Sequence, residues 1–109
     1  MRKFYFIFFL AFILGACNKD SNSPIKKAGG EASRGRRVYL AQCTACHNSD
    51  PSREGSIGPA IKGSPQALIE ARLLRGSYPP GYTPKRKTKV MPAQPYLKSA
   101  ISDLAAFLE

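Results

Sequence analysis

CTACH, residues 43–47, brings together most of the reactive side chains of this sequence. It holds two of the three cysteines and the one histidine among 109 residues. Upstream of it, Gly35, Tyr39 and Cys43 recur at every fourth position, a spacing that places them on one face of a helix. The pattern therefore predicts a helix over about residues 31–44 that carries the reactive cluster at its carboxyl end.

Two further helices are expected in the second half of the chain. For residues 64–76, Ser64 suits the N-cap, Pro65 the first helical position and Gly76 the carboxyl-terminal stop. A third helix is expected over residues 97–108. The apolar stripes of these two helices are Leu68, Ile69 and Leu73, and then Leu97, Ile101, Leu104 and Leu108. No alternating strand pattern of useful length appears, so the sequence predicts an all-α domain with three main helices.

The amino-terminal residues have the pattern of an export signal. A basic start is followed by an apolar run over residues 4–14, which is shorter than the roughly 18 residues needed to cross a bilayer. Leu14-Gly15-Ala16-Cys17 resembles the lipobox of bacterial lipoproteins. The resemblance implies cleavage before Cys17 and acylation of that residue, which would anchor the protein to a membrane.

The expected organisation of the chain has three parts. They are a signal peptide with its lipobox over residues 1–16, a lipidated Cys17 with a flexible tether over residues 17–30, and one small domain over residues 31–109. Cleavage would lower the net formal charge from +10 to +8. We expect a protein of the cell envelope, anchored by lipid and facing the periplasm or the cell exterior, where its basic surface meets no nucleic acid.

Three kinds of site use the CTACH pattern. A redox disulfide usually lies at a helix start within a βαβ unit, whereas this one follows a helix and has no strands nearby. A structural zinc site needs four ligands, and Cys43, Cys46 and His47 would need a carboxylate as the fourth. The third site is the covalent attachment of a c-type haem, with two thioether bonds and a histidine on the iron. A small exported domain with few core residues favours this apolar, iron-containing prosthetic group.

A sixth ligand for such an iron can be sought by elimination. There is no second histidine, and Met91 is the one methionine that remains after removal of the signal. It lies in the proline-flanked stretch KVMPAQP, residues 89–95, before the third helix. Met91 is therefore the expected ligand, with an open site or a lysine such as Lys89 as the alternatives.

An ordered set of motifs extends this pattern over residues 33–108. GRRVYLAQCTACH, GPAIKG, MP and SDLAAFL together resemble the class I monohaem cytochromes c. The resemblance implies the small cytochrome c fold, with three main helices around one covalently bound haem. It also implies that Gly35 and Tyr39 of the first helix meet Phe107 of the last.

The same resemblance assigns a role to Pro59. Gly58-Pro59 is similar to the Gly-Pro turn of the family, in which the proline carbonyl accepts a hydrogen bond from the proximal histidine, here His47. The chain departs from the family pattern at SYPPGYTPKRKTKV, residues 77–90, an insertion between the second helix and Met91. Tyr78 and Tyr82 of this insertion are candidates for bonding a haem propionate.

Ligation by both histidine and methionine leaves no iron position for a substrate, and no catalytic constellation is visible in the sequence. The expected function is thus a one-electron carrier between membrane-associated redox partners, not an enzyme. The alternatives are a haem enzyme or gas sensor with an open or displaceable sixth site, and a cytochrome subunit of a larger oxidase or dehydrogenase complex.

The basic residues suggest surfaces for these partners. One cluster is either solvated loop charge near the propionates or a ring that steers an acidic partner protein. It consists of Lys85, Arg86, Lys87 and Lys89. A second set could contact anionic lipid headgroups. It consists of Lys26, Lys27, Arg34, Arg36 and Arg37.

Overall fold

The computed structural model describes residues 29–109. The expected signal peptide, Cys17 and most of the expected tether lie outside the described residues. Four elements follow one another along the chain: α1 (Ala32–Gln42), α2 (Gln66–Arg75), a 3₁₀ helix (Pro95–Ala100) and α3 (Ile101–Leu108). Residues 29–109 contain no strand, so the predicted all-α class with three main helices is confirmed. None of the helices in this part of the chain has the length and apolar character that a membrane span requires.

Helices α1 and α3 cross in direct contact because Gly35 has no side chain. A Cβ on Gly35 would overlap the backbone carbonyl of Asp103 and lie 2.9 Å from the Cβ of Phe107. One turn further along α1, the ring of the fully buried Tyr39 lies 5.3 Å from the ring of Phe107, at a tilt of 49°. The contact expected from Gly35 and Tyr39 to Phe107 is therefore present, and it fixes the crossing that places the end of α1.

A buried carboxylate ties the same two helices together. Asp103 of α3 is 8% exposed and accepts hydrogen bonds from Nε of Arg34 at 2.9 Å and from Nη2 of Arg34 at 3.1 Å. The backbone N–H of Glu31 donates to the same carboxylate at 2.7 Å. Two-pronged pairing of this kind holds a buried charge in a defined geometry. Arg34 thus pairs with Asp103 across the crossing of α1 and α3, while 46% of its side chain stays exposed.

The predicted apolar stripes of α2 and of the last helical segment are buried, as expected. Gly76 ends α2 in the left-handed region at φ 62°, which confirms it as the stop. The prediction of Ser64 as N-cap was wrong. Pro65 occupies that position with an extended backbone, and the Ser64 hydroxyl donates to the Ile61 carbonyl at 2.6 Å. The first turn of α2 therefore has no side-chain cap.

The third predicted helix has two parts in the structure. The 3₁₀ helix over Pro95–Ala100 precedes α3, which begins at Ile101. Leu97 of the 3₁₀ helix and Ile101 of α3 are both buried, so the apolar stripe is continuous although the helix type changes. Together with residues of α1 and α2, these segments form one apolar core.

Candidate cofactor site

A cavity of about 520 Å³ lies between the three helices and the loops that join them. Its size is within the range of roughly 300–1,000 Å³ that is typical of pockets for cofactors and other small molecules. Aliphatic side chains form much of its wall: Ile61, Leu68, Ile69, Leu73, Leu104 and Leu108. Cys43, Cys46, His47 and Met91 line the same cavity, so the fold brings together every predicted haem ligand in the described part of the chain.

The reactive cluster lies in the turns that directly follow α1. Cys43 is the C-cap of α1, and its carbonyl accepts hydrogen bonds from the N–H of Cys46 at 3.2 Å and of His47 at 2.9 Å. These bonds wrap the chain into a tight turn that keeps both thiols and the imidazole at the cavity. Cys43 and Cys46 are free thiols in this structure.

Tyr39 connects this turn to the helix crossing. Its hydroxyl donates to the carbonyl of Asn48 at 2.5 Å, one residue after His47. Burial raises the pKa of Tyr39 to about 12, so the hydroxyl keeps its proton and remains a donor at ordinary pH. Through this hydrogen bond, the crossing of α1 and α3 positions the backbone next to His47.

The hydrogen bond of His47 defines which ring nitrogen is available to a ligand. Nδ1 of His47 lies 2.9 Å from the carbonyl oxygen of Pro59, the contact that the resemblance implies. A carbonyl oxygen can only accept, so Nδ1 carries the proton. In the neutral imidazole Nε2 then keeps a free lone pair, which is the form of histidine that binds a metal.

A tight turn presses against the imidazole, and we call residues 55–60 the proximal turn. The N–H groups of Ile57 and Gly58 both donate to the Cys46 carbonyl, at 3.2 and 2.8 Å. A Cβ on Gly58 would lie 2.5 Å from Nδ1 and 2.9 Å from Nε2 of His47. Only glycine leaves room for the imidazole ring at this position. The sequence indicated the Gly-Pro turn by resemblance, but it did not show this steric reason for the glycine.

Cys43 is partly buried, and this burial changes the acidity of its thiol. Desolvation raises the pKa of Cys43 from its ordinary value of 9.0 to about 11. The thiol is therefore protonated and a weak nucleophile in the folded chain without cofactor. Its surroundings suit a neutral thioether sulfur better than a thiolate.

The segment around Met91 is held against the end of α2. Nη2 of Arg72 donates to the Met91 carbonyl at 3.2 Å, and Nη1 donates to the Gly76 carbonyl at 2.6 Å. The same guanidinium lies 4.5 Å above the centre of the Tyr78 ring. No role was predicted for Arg72 from the sequence. The available signal was its position four residues after Leu68, on the flank of the apolar stripe.

The insertion reaches across to the proximal turn. Nζ of Lys85 donates to the Ala60 carbonyl at 2.7 Å, and Nη1 of Arg86 donates to the Ile57 carbonyl at 2.7 Å. Arg86 also pairs with Glu54 at 3.3 Å. These two cations are bound to backbone of the same domain, a contact between distant segments that no sequence pattern indicated.

In the described part of the chain, no three His, Cys, Asp or Glu side chains come together as a metal site built from these residues would require. Comparisons with protein-family models, with curated proteins and with solved structures give no match to this chain. The function of the cavity therefore has to follow from the residues that line it.

Proposed function

We propose that this chain is a one-electron carrier of the class I cytochrome c type, with one haem c bound in the cavity. One observation carries the proposal. Two thiols, an imidazole with its Nδ1 proton already engaged, and a methionine line a single aliphatic cavity of cofactor size. This donor set matches the needs of a covalently attached haem, and each donor is neutral or can become so on binding.

Each residue then has a defined task. The thiols of Cys43 and Cys46 would form thioether bonds to the two vinyl groups, each S–H adding across one C=C bond. Nε2 of His47 and the thioether of Met91 would both bind the iron. When bound, the haem supplies a ferric–ferrous couple that changes by one electron.

The remaining wall of the cavity favours electron transfer over substrate turnover. With both His47 and Met91 holding the iron, no position would be left for a substrate, and the aliphatic residues of α2 and α3 would exclude water from the site. The Pro59 carbonyl holds the His47 ring in one orientation, so little rearrangement would accompany the change of charge. We therefore infer a carrier and not an enzyme.

The location of the carrier follows from the amino-terminal pattern. We propose that acylated Cys17 anchors the domain at a membrane of the cell envelope, where it passes electrons between redox partner proteins. Mass spectrometry of the mature chain should find Cys17 at the amino terminus with its acyl groups. An unmodified Cys17, or residues retained before it, would contradict the lipid anchor.

Absorption spectra of the protein matured with haem test the proposal, and Met91→Ala is the informative variant. We expect the oxidised wild type to show the weak far-red band of thioether ligation and the reduced wild type to bind no carbon monoxide. Met91→Ala should lose the band and bind carbon monoxide. Val90→Ala is the matched control, because Val90 is the neighbouring residue and is 62% exposed; it should behave as wild type.

Two results would overturn this assignment. If the wild type binds carbon monoxide as readily as Met91→Ala, the sixth position is open and a gas sensor or haem enzyme is favoured. If mass spectrometry finds no haem mass on the chain when Cys43 and Cys46 are intact, the covalent site itself is wrong.

A further inference from the structure

The carbonyl groups at the end of the proximal turn are all held by hydrogen bonds. Four consecutive carbonyls, from residue 57 to residue 60, each accept a hydrogen bond. The two inner bonds are local: Gly58 accepts from the N–H of Gly55 at 2.9 Å, and Pro59 accepts from Nδ1 of His47 at 2.9 Å.

The two outer bonds come from a distant segment, residues 77–90, which we call the strap. The Ile57 carbonyl accepts from Arg86 and the Ala60 carbonyl accepts from Lys85, each at 2.7 Å. They therefore bracket the one carbonyl that binds the histidine. Both donors are cationic, and hydrogen bonds of this kind are stronger than those between neutral groups.

The turn needs such support where proline interrupts its backbone. Gly58 N–H is bound to the Cys46 carbonyl, and Ile61 N–H is bound to the Pro51 carbonyl at 2.8 Å. Between them Pro59 has no N–H to donate. The carbonyl bonds from the strap thus add to these backbone bonds on both sides of the Pro59 carbonyl.

The other two cations of the strap differ from this pair. Lys87 and Lys89 are exposed, and within the described residues their side chains make no hydrogen bond or ion pair. Adjacent residues with the same charge thus have two different environments. A general attraction between basic side chains and backbone carbonyls does not explain why Lys85 and Arg86 are bound while Lys87 and Lys89 are not.

We propose that Lys85 and Arg86 are positioning residues for His47, acting through the proximal turn to hold the Pro59 carbonyl on Nδ1. The proposal rests on the proposed function in one respect, the role of His47 as proximal ligand. It gives the insertion a task inside the domain: the strap fixes the orientation and the tautomer of the imidazole, while Lys87 and Lys89 stay free for contacts with other molecules.

The exchange rate of the His47 Nδ1 proton with solvent, measured by NMR in the reduced haem-loaded protein, tests the proposal. In Lys85→Met/Arg86→Met the flanking restraints are lost, so the turn should open more often and the proton should exchange about tenfold faster or more. The matched control is Lys87→Met/Lys98→Met, which removes the same charge from two exposed side chains that make no hydrogen bond within the described residues. Its exchange should stay within about twofold of wild type.

Two additional readings separate positioning from general stability. Lys85→Arg/Arg86→Lys keeps both cationic donors and should restore slow exchange. Backbone amide exchange in α1 and α3 should be the same in all variants. Equal Nδ1 exchange in the two Met pairs would overturn the proposal, and so would faster exchange spread evenly over the whole domain.

The test distinguishes a failure of this proposal from a failure of the proposed function. If haem fails to attach at Cys43 and Cys46, the carrier function is wrong, and the role of His47 as proximal ligand falls with it. If haem attaches and the two pairs exchange alike, the carrier function stands and the positioning role falls.

Discussion

At the scale of single residues, the direction of one hydrogen bond sets the chemistry of His47. The Pro59 carbonyl takes the proton of Nδ1 and leaves Nε2 free, and Gly58 makes space for the ring. The Gly-Pro resemblance was sufficient to predict the acceptor. The reason for the glycine required coordinates, because it depends on how closely the turn approaches a ring eleven residues earlier in the chain.

The buried thiol of Cys43 gives a prediction in the haem-free chain. With a pKa of about 11 in place of 9.0, its thiolate fraction at pH 8 is lower than in the unfolded chain by about 100-fold. Iodoacetamide should therefore modify Cys43 about 100-fold more slowly in the folded chain than in urea, as followed by mass spectrometry. Equal rates in the two states would show that the thiol is not buried.

The same pKa difference has a consequence for stability. Since folding raises the pKa of Cys43, the folded state disfavours the thiolate. The protonated Cys43 thiol makes its full contribution to the free energy of unfolding below about pH 9. This contribution is lost as the pH rises towards 11. Replacement of Cys43 by Ser, or conversion of its thiol to a thioether, would remove this loss of stability at alkaline pH.

At the scale of elements, Arg72 joins α2 to the segment that carries Met91. In Arg72→Ala the Met91 carbonyl loses a charged donor, which costs about 1–2 kcal/mol and should raise the population with Met91 away from the iron about tenfold. We expect a weaker far-red band and partial binding of carbon monoxide. Arg72→Lys should recover little, because a lysine cannot bind two carbonyls as the forked guanidinium does.

Arg75 provides the control for this prediction. It lies on the same helix, is exposed and carries the same charge. Arg75→Ala should leave the far-red band and the carbon monoxide response unchanged. If both arginine variants give the same spectra, the bond from Arg72 does not hold the Met91 segment.

The elements also show where prediction from sequence succeeds. The spacing of Leu68, Ile69 and Leu73 predicted the buried face of α2 because helical periodicity is a local property. Ser64 failed as a cap because the Ile61 carbonyl is a nearer partner for its hydroxyl. Contacts such as Lys85 to Ala60 join segments 25 residues apart, and no local pattern encodes them.

At the scale of the whole molecule, the free cations of the strap form the surface on which we propose that an acidic redox partner docks. Lys87→Ala/Lys89→Ala should slow electron transfer to such a partner severalfold at low salt and reduce its dependence on ionic strength. Stopped-flow kinetics over a salt series measures both effects. The reference pair Arg36→Ala/Arg37→Ala makes the same change of charge on the exposed side of α1.

The outcome distinguishes a local docking surface from an effect of net charge. If the strap pair and the α1 pair slow the reaction equally at every salt concentration, the position of the cations is unimportant. A larger effect of the strap pair at low salt, which vanishes at high salt, supports docking beside the cavity.

The position of α3 along the chain imposes an order of events. Leu104 and Leu108 of this last helix line the cavity, and Gly35 and Tyr39 pack against the same helix. A chain that emerges amino-terminus first presents Cys43 and Cys46 well before these closing residues exist. In the interval between the two events both sulfurs are open to reaction, and the packing of α3 against α1 ends that interval.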